Sequence, residues 1–161
     1  MTSYAIALGS NRWSRHGAPA ATLRAAAEAI GAERLSRIRL THAIGPAGRS
    51  FANAAAIVSS RLDPPDLLAE LKAVERRFGR RGGRKWGPRV LDLDLVLWSE
   101  GSFAEAGIVV PHPGFRDRRF VLEPLAQIAP QWRDPLTGAT VRQLLVRLGK
   151  GRPVDRHGGD T

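Results

Sequence analysis

Two aspartates in one short run are the residues of this chain best placed to do chemistry. They lie in Val90-Leu91-Asp92-Leu93-Asp94-Leu95-Val96-Leu97-Trp98. The run is leucine-rich and β-branched with a period of two, which predicts a strand. Leu91, Leu93, Leu95 and Leu97 then share one face, and Asp92 and Asp94 share the other with Val90 and Val96. Carboxylates at i and i+2 sit about 6–7 Å apart at their Cα atoms. In a partly screened setting their repulsion is about 2 kcal/mol if both are ionised. A strand gains nothing from that arrangement, so a positive partner is expected. A divalent cation would serve, and so would an arginine such as Arg89.

The segment before the strand bears on that choice. Gly79-Arg80-Arg81-Gly82-Gly83-Arg84-Lys85 is glycine-hinged and strongly basic, and Arg89 comes soon after it. It is not a P-loop: the G-x-x-x-x-G-K-[ST] pattern is missing, and the loop precedes a strand rather than following one. A charge run is often only a solvated face. Here it leads into two aspartates on one face, and cations for polyphosphate beside carboxylates for magnesium is a layout that phosphoryl transfer uses. Trp86 adjoins the loop, either as a core anchor or as a ring that covers a site. His112 comes directly after Pro111 in a loop with Arg116, Arg118 and Arg119. Its imidazole is either structural or a hydrogen-bond donor to a phosphoryl group. Phe51 and Phe120 each begin an apolar element and read first as core. Asn53 shares a strand face with Phe51, and a buried amide needs several partners, which a heterocycle could supply.

Composition narrows the partners. The 161 residues suit one domain with its own core, and 43% are hydrophobic. No apolar run is long enough to span a membrane, and Met1 to Ser10 has neither the basic start nor the apolar stretch of a signal peptide. Cysteine is absent, which removes disulfides and thiolate metal sites and fits a cytoplasmic protein. The net charge of +10 is carried mostly by arginine, the side chain suited to bidentate phosphate contacts. A polyanionic partner is implied, either nucleic acid or a phosphorylated small molecule. Sheets that bind RNA present aromatic rings for stacking, and 6% aromatic content with one tyrosine gives little sign of that. The expected partners are small molecules, with no nucleic acid and no membrane, and the chain is expected to be a monomer.

Local pattern predicts the elements that must position these residues. Ser3 to Leu8 alternates as a strand and ends at Gly9-Ser10-Asn11. Thr22 to Leu35 has helical spacing, with Thr22 as its cap. Arg37 to Ile44 and Phe51 to Arg61 predict two strands joined as a hairpin. Asp63-Pro64-Pro65-Asp66 opens a helix along Leu67, Leu68, Leu71, Val74 and Phe78 that closes at Gly79. Glu100 to Ala106 reads as a turn region and Ile108 to Pro111 as a short strand or extended arm. Helices are expected over Phe120 to Ile128 and Thr140 to Leu148. Residues 1–148 form the domain, and 149–161 read as a disordered tail. The order β-α-β-β-α-β predicts an α+β, single-domain, ferredoxin-like antiparallel sheet with helices packed on one face.

Taken together, the motifs resemble the 6-hydroxymethyl-7,8-dihydropterin pyrophosphokinase family of folate biosynthesis. The matching pieces are Ala7-Leu8-Gly9-Ser10-Asn11, Phe51-Ala52-Asn53-Ala54, Gly79 through Arg84, Trp86-Gly87-Pro88-Arg89-Val90-Leu91-Asp92-Leu93-Asp94, Val110-Pro111-His112-Pro113 and Arg118 through Leu125. The resemblance implies transfer of the β,γ-pyrophosphoryl group from ATP to the pterin hydroxymethyl oxygen, with release of AMP. It implies that Asp92 and Asp94 hold two magnesium ions, that Arg80, Arg84, Arg89 and Arg118 bind phosphates, and that His112 and Trp86 seat ATP. Arg80 and Arg89 count with the two aspartates as catalytic. Glu75 matches a nucleotide-contacting position. Phe51 and Phe120 would sandwich the pterin, with Asn53 and the backbone from Thr41 to Ile44 reading its polar edge. The chain departs from the family's usual pattern at Arg12-Trp13-Ser14-Arg15, at Thr41-His42-Ala43-Ile44, which lacks the usual prolines, and at Gly107-Ile108-Val109.

Overall fold

The computed structural model describes residues 1–42, 50–79, 90–105 and 107–151. Strand β1, Thr2–Ser10, is the centre of the sheet. It pairs antiparallel with β4, Ser50–Ser60, from Thr2 opposite Ser60 to Ser10 opposite Ala52. On its other side it pairs antiparallel with β5, Asp92–Trp98. Two short strands, β2 (Arg34–Leu35) and β3 (Arg39–His42), both pair with β4. The hairpin expected from Arg37 to Arg61 is present as β3 and β4. The whole is a mixed α and β fold on an antiparallel sheet, as the element order predicts.

Helix α1, Pro19–Ala29, starts earlier than Thr22. Pro19 occupies its first turn, where a missing N–H is harmless. Thr22 is inside the helix and buried, with its hydroxyl 2.7 Å from that of Ser14. Helix α2, Pro64–Arg77, matches its sequence signals closely. Asp63 caps it by accepting the Asp66 N–H at 3.2 Å. These two helices cover one face of the sheet through Leu23, Ala26, Leu67, Leu71 and Val74, packed on Tyr4, Ile6, Leu8 and Leu93.

Helices also cover the opposite face, which corrects the expectation of one helical face. Helix α3, Arg119–Ile128, and helix α4, Val141–Gly151, bury Val121, Leu122, Leu125, Val141 and Leu144. Their partners are Ala5, Ala55, Ile57, Val96 and Leu97. The reason is visible in β4, where Ala54 to Val58 is apolar without interruption, so both faces need cover. Helix α4 begins with a reciprocal cap. Thr140 Oγ1 accepts the Gln143 N–H at 3.1 Å, and Gln143 Oε1 accepts the Thr140 N–H at 2.9 Å. It runs through Gly151, into the segment expected as a tail; the remainder of that segment lies outside the described residues.

Two further differences involve β5 and the residues after it. The pairing of β1 with β5 slips between Ala5 opposite Leu97 and Ile6 opposite Leu95. The extra residue, Val96, makes a bulge, so Leu97 turns to the α3 face instead of joining Leu91, Leu93 and Leu95. The turn region after β5 holds strand β6, Phe103–Glu105, which pairs with β7, Ile108–Val110. Beyond β7 the chain passes a cis Val110–Pro111 bond to His112 and a 3-10 turn at Phe115–Asp117.

Candidate active site

The site is the part of the sheet that α3 and α4 leave bare. They cover the face over Ala5, Ala55, Ile57, Val96 and Leu97. Further along that face stand Asp94 and Asp92 on β5, Gly9 on β1, and Asn53 and Phe51 on β4. Strand register places them. Asp92 is opposite Gly9, Gly9 opposite Asn53, and Asn53 opposite Arg39, so one row crosses the sheet. Asp94 and Phe51 lie one pleat away in opposite directions, with Phe51 opposite Thr41. The two aspartates share a face, as the period of two predicts.

Gly9 lies in this row beside Asn53, a close approach that the strand pattern did not single out. A Cβ there would meet Asn53 Oδ1 at 3.3 Å. Its bare backbone lets the Asn53 amide lie over β1 toward Asp92. A glycine inside a strand marks such close approaches, and that signal was available.

Glu75 of α2 lies on the other face of β5. It is 0% exposed, and its Oε2 accepts the Leu93 N–H at 2.6 Å. Lys72 Nζ is 3.3 Å from Oε1. Leu93 is the residue between Asp92 and Asp94. Glu75 thus grips the backbone that carries the pair. Lys72, also missed, brings a positive charge close enough to act on Asp94.

Asp94 has its pKa raised. Burial is the main cause, Asp92 adds to it, and Glu75 adds a little, while His112 and Lys72 oppose. Among the described residues no side chain or N–H donates a hydrogen bond to Asp94. Among the described residues, then, the charges that favour the ionised form come only from a distance, from Lys72 and His112. No third His, Asp or Glu among the described residues completes a metal-binding group around the two aspartates. That donor set suits magnesium, which takes one or two carboxylates and fills its other positions with water and phosphate oxygens.

His112 is tied to β5 by its N–H, which donates to Val96 O at 3.0 Å. Its Nδ1 accepts the Gly114 N–H at 3.1 Å, so the neutral ring carries its proton on Nε2. Burial lowers the His112 pKa, Asp94 works against that, and Arg118 lowers it further. Arg118 folds back against Gly114, where a Cβ would lie 3.0 Å from Nε, and its guanidinium sits 5.9 Å from the Phe120 ring centre. Phe120 is 44% exposed and Phe51 38%, and no stacked ring among the described residues covers either. Asp92, Asp94, His112, Arg118, Thr41, Phe51, Asn53 and Phe120 are thus all placed at or beside the bare half of the sheet. Arg80, Arg84, Trp86, Arg89 and Ile44 lie outside the described residues.

Comparison with known proteins identifies the family. The chain is 42% identical over 119 residues to the 2-amino-4-hydroxy-6-hydroxymethyldihydropteridine pyrophosphokinase of Synechocystis sp., covering 74% of this chain and 61% of that protein. It is 39% identical over 139 residues to the Pseudomonas aeruginosa protein of that name, covering 81% and 82%. With the Bacillus subtilis protein it shares 34% over 148 residues, covering 90% and 89%. Among solved structures, an HPPK-DHPS crystal structure in complex with substrates matches in fold with a TM-score of 0.69 at 11% identity, over 90% of this chain and 44% of that one. The model of the family described as 7,8-dihydro-6-hydroxymethylpterin-pyrophosphokinase (HPPK) matches residues 5–130. That span runs from β1 past the end of α3 and includes every element that bears the site, so the chain belongs to the HPPK family.

Proposed function

We propose that this chain transfers the β,γ-pyrophosphoryl group of ATP to the hydroxymethyl oxygen of 6-hydroxymethyl-7,8-dihydropterin, giving AMP and the pterin diphosphate in folate biosynthesis. The observation that carries the reading is Asp94 beside Asp92, with no hydrogen-bond donor to its carboxylate among the described residues, on the same sheet face as Asn53 and Phe51, with the exposed Phe120 at the start of α3. In this reading Phe51 and Phe120 hold the flat pterin ring between them, and Asn53 with the Thr41 backbone meets its polar edge. Arg118 and a neutral His112, donating through Nε2, bind phosphate oxygens. Arg80, Arg84 and Arg89 hold the polyphosphate from the basic segment, with Trp86 against the nucleotide. Asp92 and Asp94 would hold two magnesium ions, which when bound neutralise phosphate charge and align the attacking and leaving oxygens. Glu75 keeps the strand backbone in register while both aspartates face the reactants.

The protein acts in this reading as a cytoplasmic monomer on small-molecule substrates. No helix among the described residues is long and apolar enough to cross a membrane. The test is to mix the purified chain with ATP, magnesium and the hydroxymethyl pterin and to measure AMP. AMP above a pterin-free blank is expected, and its absence would overturn the proposal.

A further inference from the structure

Helix α3 is fastened to the sheet edge by a row of polar rungs as well as by its apolar face. Arg34 Nη1 donates to Ile128 O at 2.8 Å, and the Arg37 N–H donates to Gln127 Oε1 at 2.9 Å. The Arg39 guanidinium pairs with Glu123 Oε2, and Arg119 Nη1 donates to Glu123 Oε1 at 3.0 Å. Phe120, Glu123 and Gln127 recur at i, i+3 and i+7, so they line one edge of the helix. Toward the helix start, the next position on that edge after Glu123 is Phe120. Along the sheet, the next pair on that face after Arg39 opposite Asn53 is Thr41 opposite Phe51. The seam of rungs therefore stops where the two open phenylalanines begin.

Val121, Leu122 and Leu125 already bury the helix, and half-exposed ion pairs add little to folding stability. What the last rung adds is direction. Apolar packing tolerates a small slide of a helix along a sheet, whereas Glu123, steadied by Arg119 on its own helix and paired with Arg39 on β3, resists one. Arg39 is committed to this pair although its strand position faces Asn53.

We infer that the Arg39–Glu123 ion pair is a positioning device that sets the spacing between Phe51 and Phe120, and so the affinity for a flat bicyclic heterocycle between them. The inference rests on the pterin reading above. Arg39 acts through Glu123 and not as a ligand of the heterocycle.

The test is a double-mutant cycle in the full chain, reading pterin Kd by calorimetry, KM for both substrates, and the melting temperature. Glu123→Gln and Arg39→Gln are each expected to raise pterin Kd about five-fold, and the double variant no further, because the two act as one unit. KM for ATP and the melting temperature stay where they are. A much larger loss for Arg39→Gln than for Glu123→Gln would make Arg39 a direct ligand and overturn the inference. Unchanged pterin Kd in both single variants would overturn it too, leaving a surface ion pair. A parent chain that binds no pterin and releases no AMP overturns the functional proposal and this one together; a parent that binds, with unaffected variants, overturns this one alone.

Discussion

Asp134 and Asp94 are both sheltered carboxylates, and the fold treats them in opposite ways. Asp134, in the connection between α3 and α4, is 0% exposed. It accepts Arg116 Nε at 2.6 Å and Nη2 at 2.8 Å, the Leu136 N–H at 3.0 Å and the Thr137 hydroxyl at 2.8 Å. Burial alone would raise its pKa, but the Arg116 hydrogen bonds, the Leu136 N–H and the Thr137 hydroxyl reverse that and hold it at about 2. Asp94 is also pushed up by burial, and it gains a second carboxylate instead of a set of donors. The first aspartate is complete within the protein and fastens the 3-10 turn after His112 to the α3–α4 connection. The second has no such set of donors among the described residues. That contrast is what the proposed function uses: a carboxylate left for substrate and metal to complete.

Four aspartate experiments would break or sharpen that contrast. The largest effect is expected for Asp94→Asn. AMP release should fall on the order of 10³-fold, about 4 kcal/mol of barrier, while the melting temperature at neutral pH rises. The raised pKa gives the sign: ionising Asp94 opposes folding, so stability is gained as pH falls through its folded-state pKa or when the charge is removed. A variant that melts lower at neutral pH would show that Asp94 is as structurally committed as Asp134.

Asp134→Ala should do the reverse. Removing one partner of a buried pair leaves Arg116, the Leu136 N–H and the Thr137 hydroxyl without their acceptor, for a loss of about 3 kcal/mol in urea unfolding. A loss well under 1 kcal/mol, about the size of a surface pair, would remove the contrast from the Asp134 side.

A pH titration comes next. The Asp134 pKa lies below its ordinary 3.8, at about 2, so its contribution is present above the unfolded-state value and is lost as pH falls through the folded one. Stability measured down that window should drop by about 2 kcal/mol from this group. The same titration on Asp134→Asn should lack that component.

The smallest effect belongs to Asp63, an aspartate with a purely local task. Asp63→Ala removes the α2 cap and should cost about 1 kcal/mol of stability with AMP release unaltered. A drop in AMP release would mean that the cap also governs how α2 presents Glu75 to β5.

Local rules made much of the molecule readable. The period of two put Asp92 and Asp94 on one face before any tertiary contact was considered, because alternation is a property of the extended backbone itself. Asp63, Pro64 and Asp66 announced α2, since a cap satisfies N–H groups within its own first turn. The β5-centred motifs and the order of elements were enough to suggest the family and the antiparallel sheet. The misses have a common character. Pro19, not Thr22, opens α1; the polar stretch after β5 holds the β6–β7 hairpin; and α3 and α4 cover a second face of the sheet.

The sequence by itself set the candidates: spacing put Asp92 and Asp94 on one strand face behind a basic run, and the family resemblance, not spacing, singled out Phe51 and Phe120 for a flat ring. Only the tertiary structure decided which of them meet. The Val96 bulge, which turns Leu97 to α3, exists because β1 and β5 differ by one residue across their pairing. Glu75 reaches the Leu93 N–H across a helix–sheet interface, and Gly9 opens room for Asn53 from a neighbouring strand. The bare half-face exists because α3 and α4 end where they do over the sheet. Each of these depends on contacts between segments far apart in the chain, and no local pattern encodes such a contact.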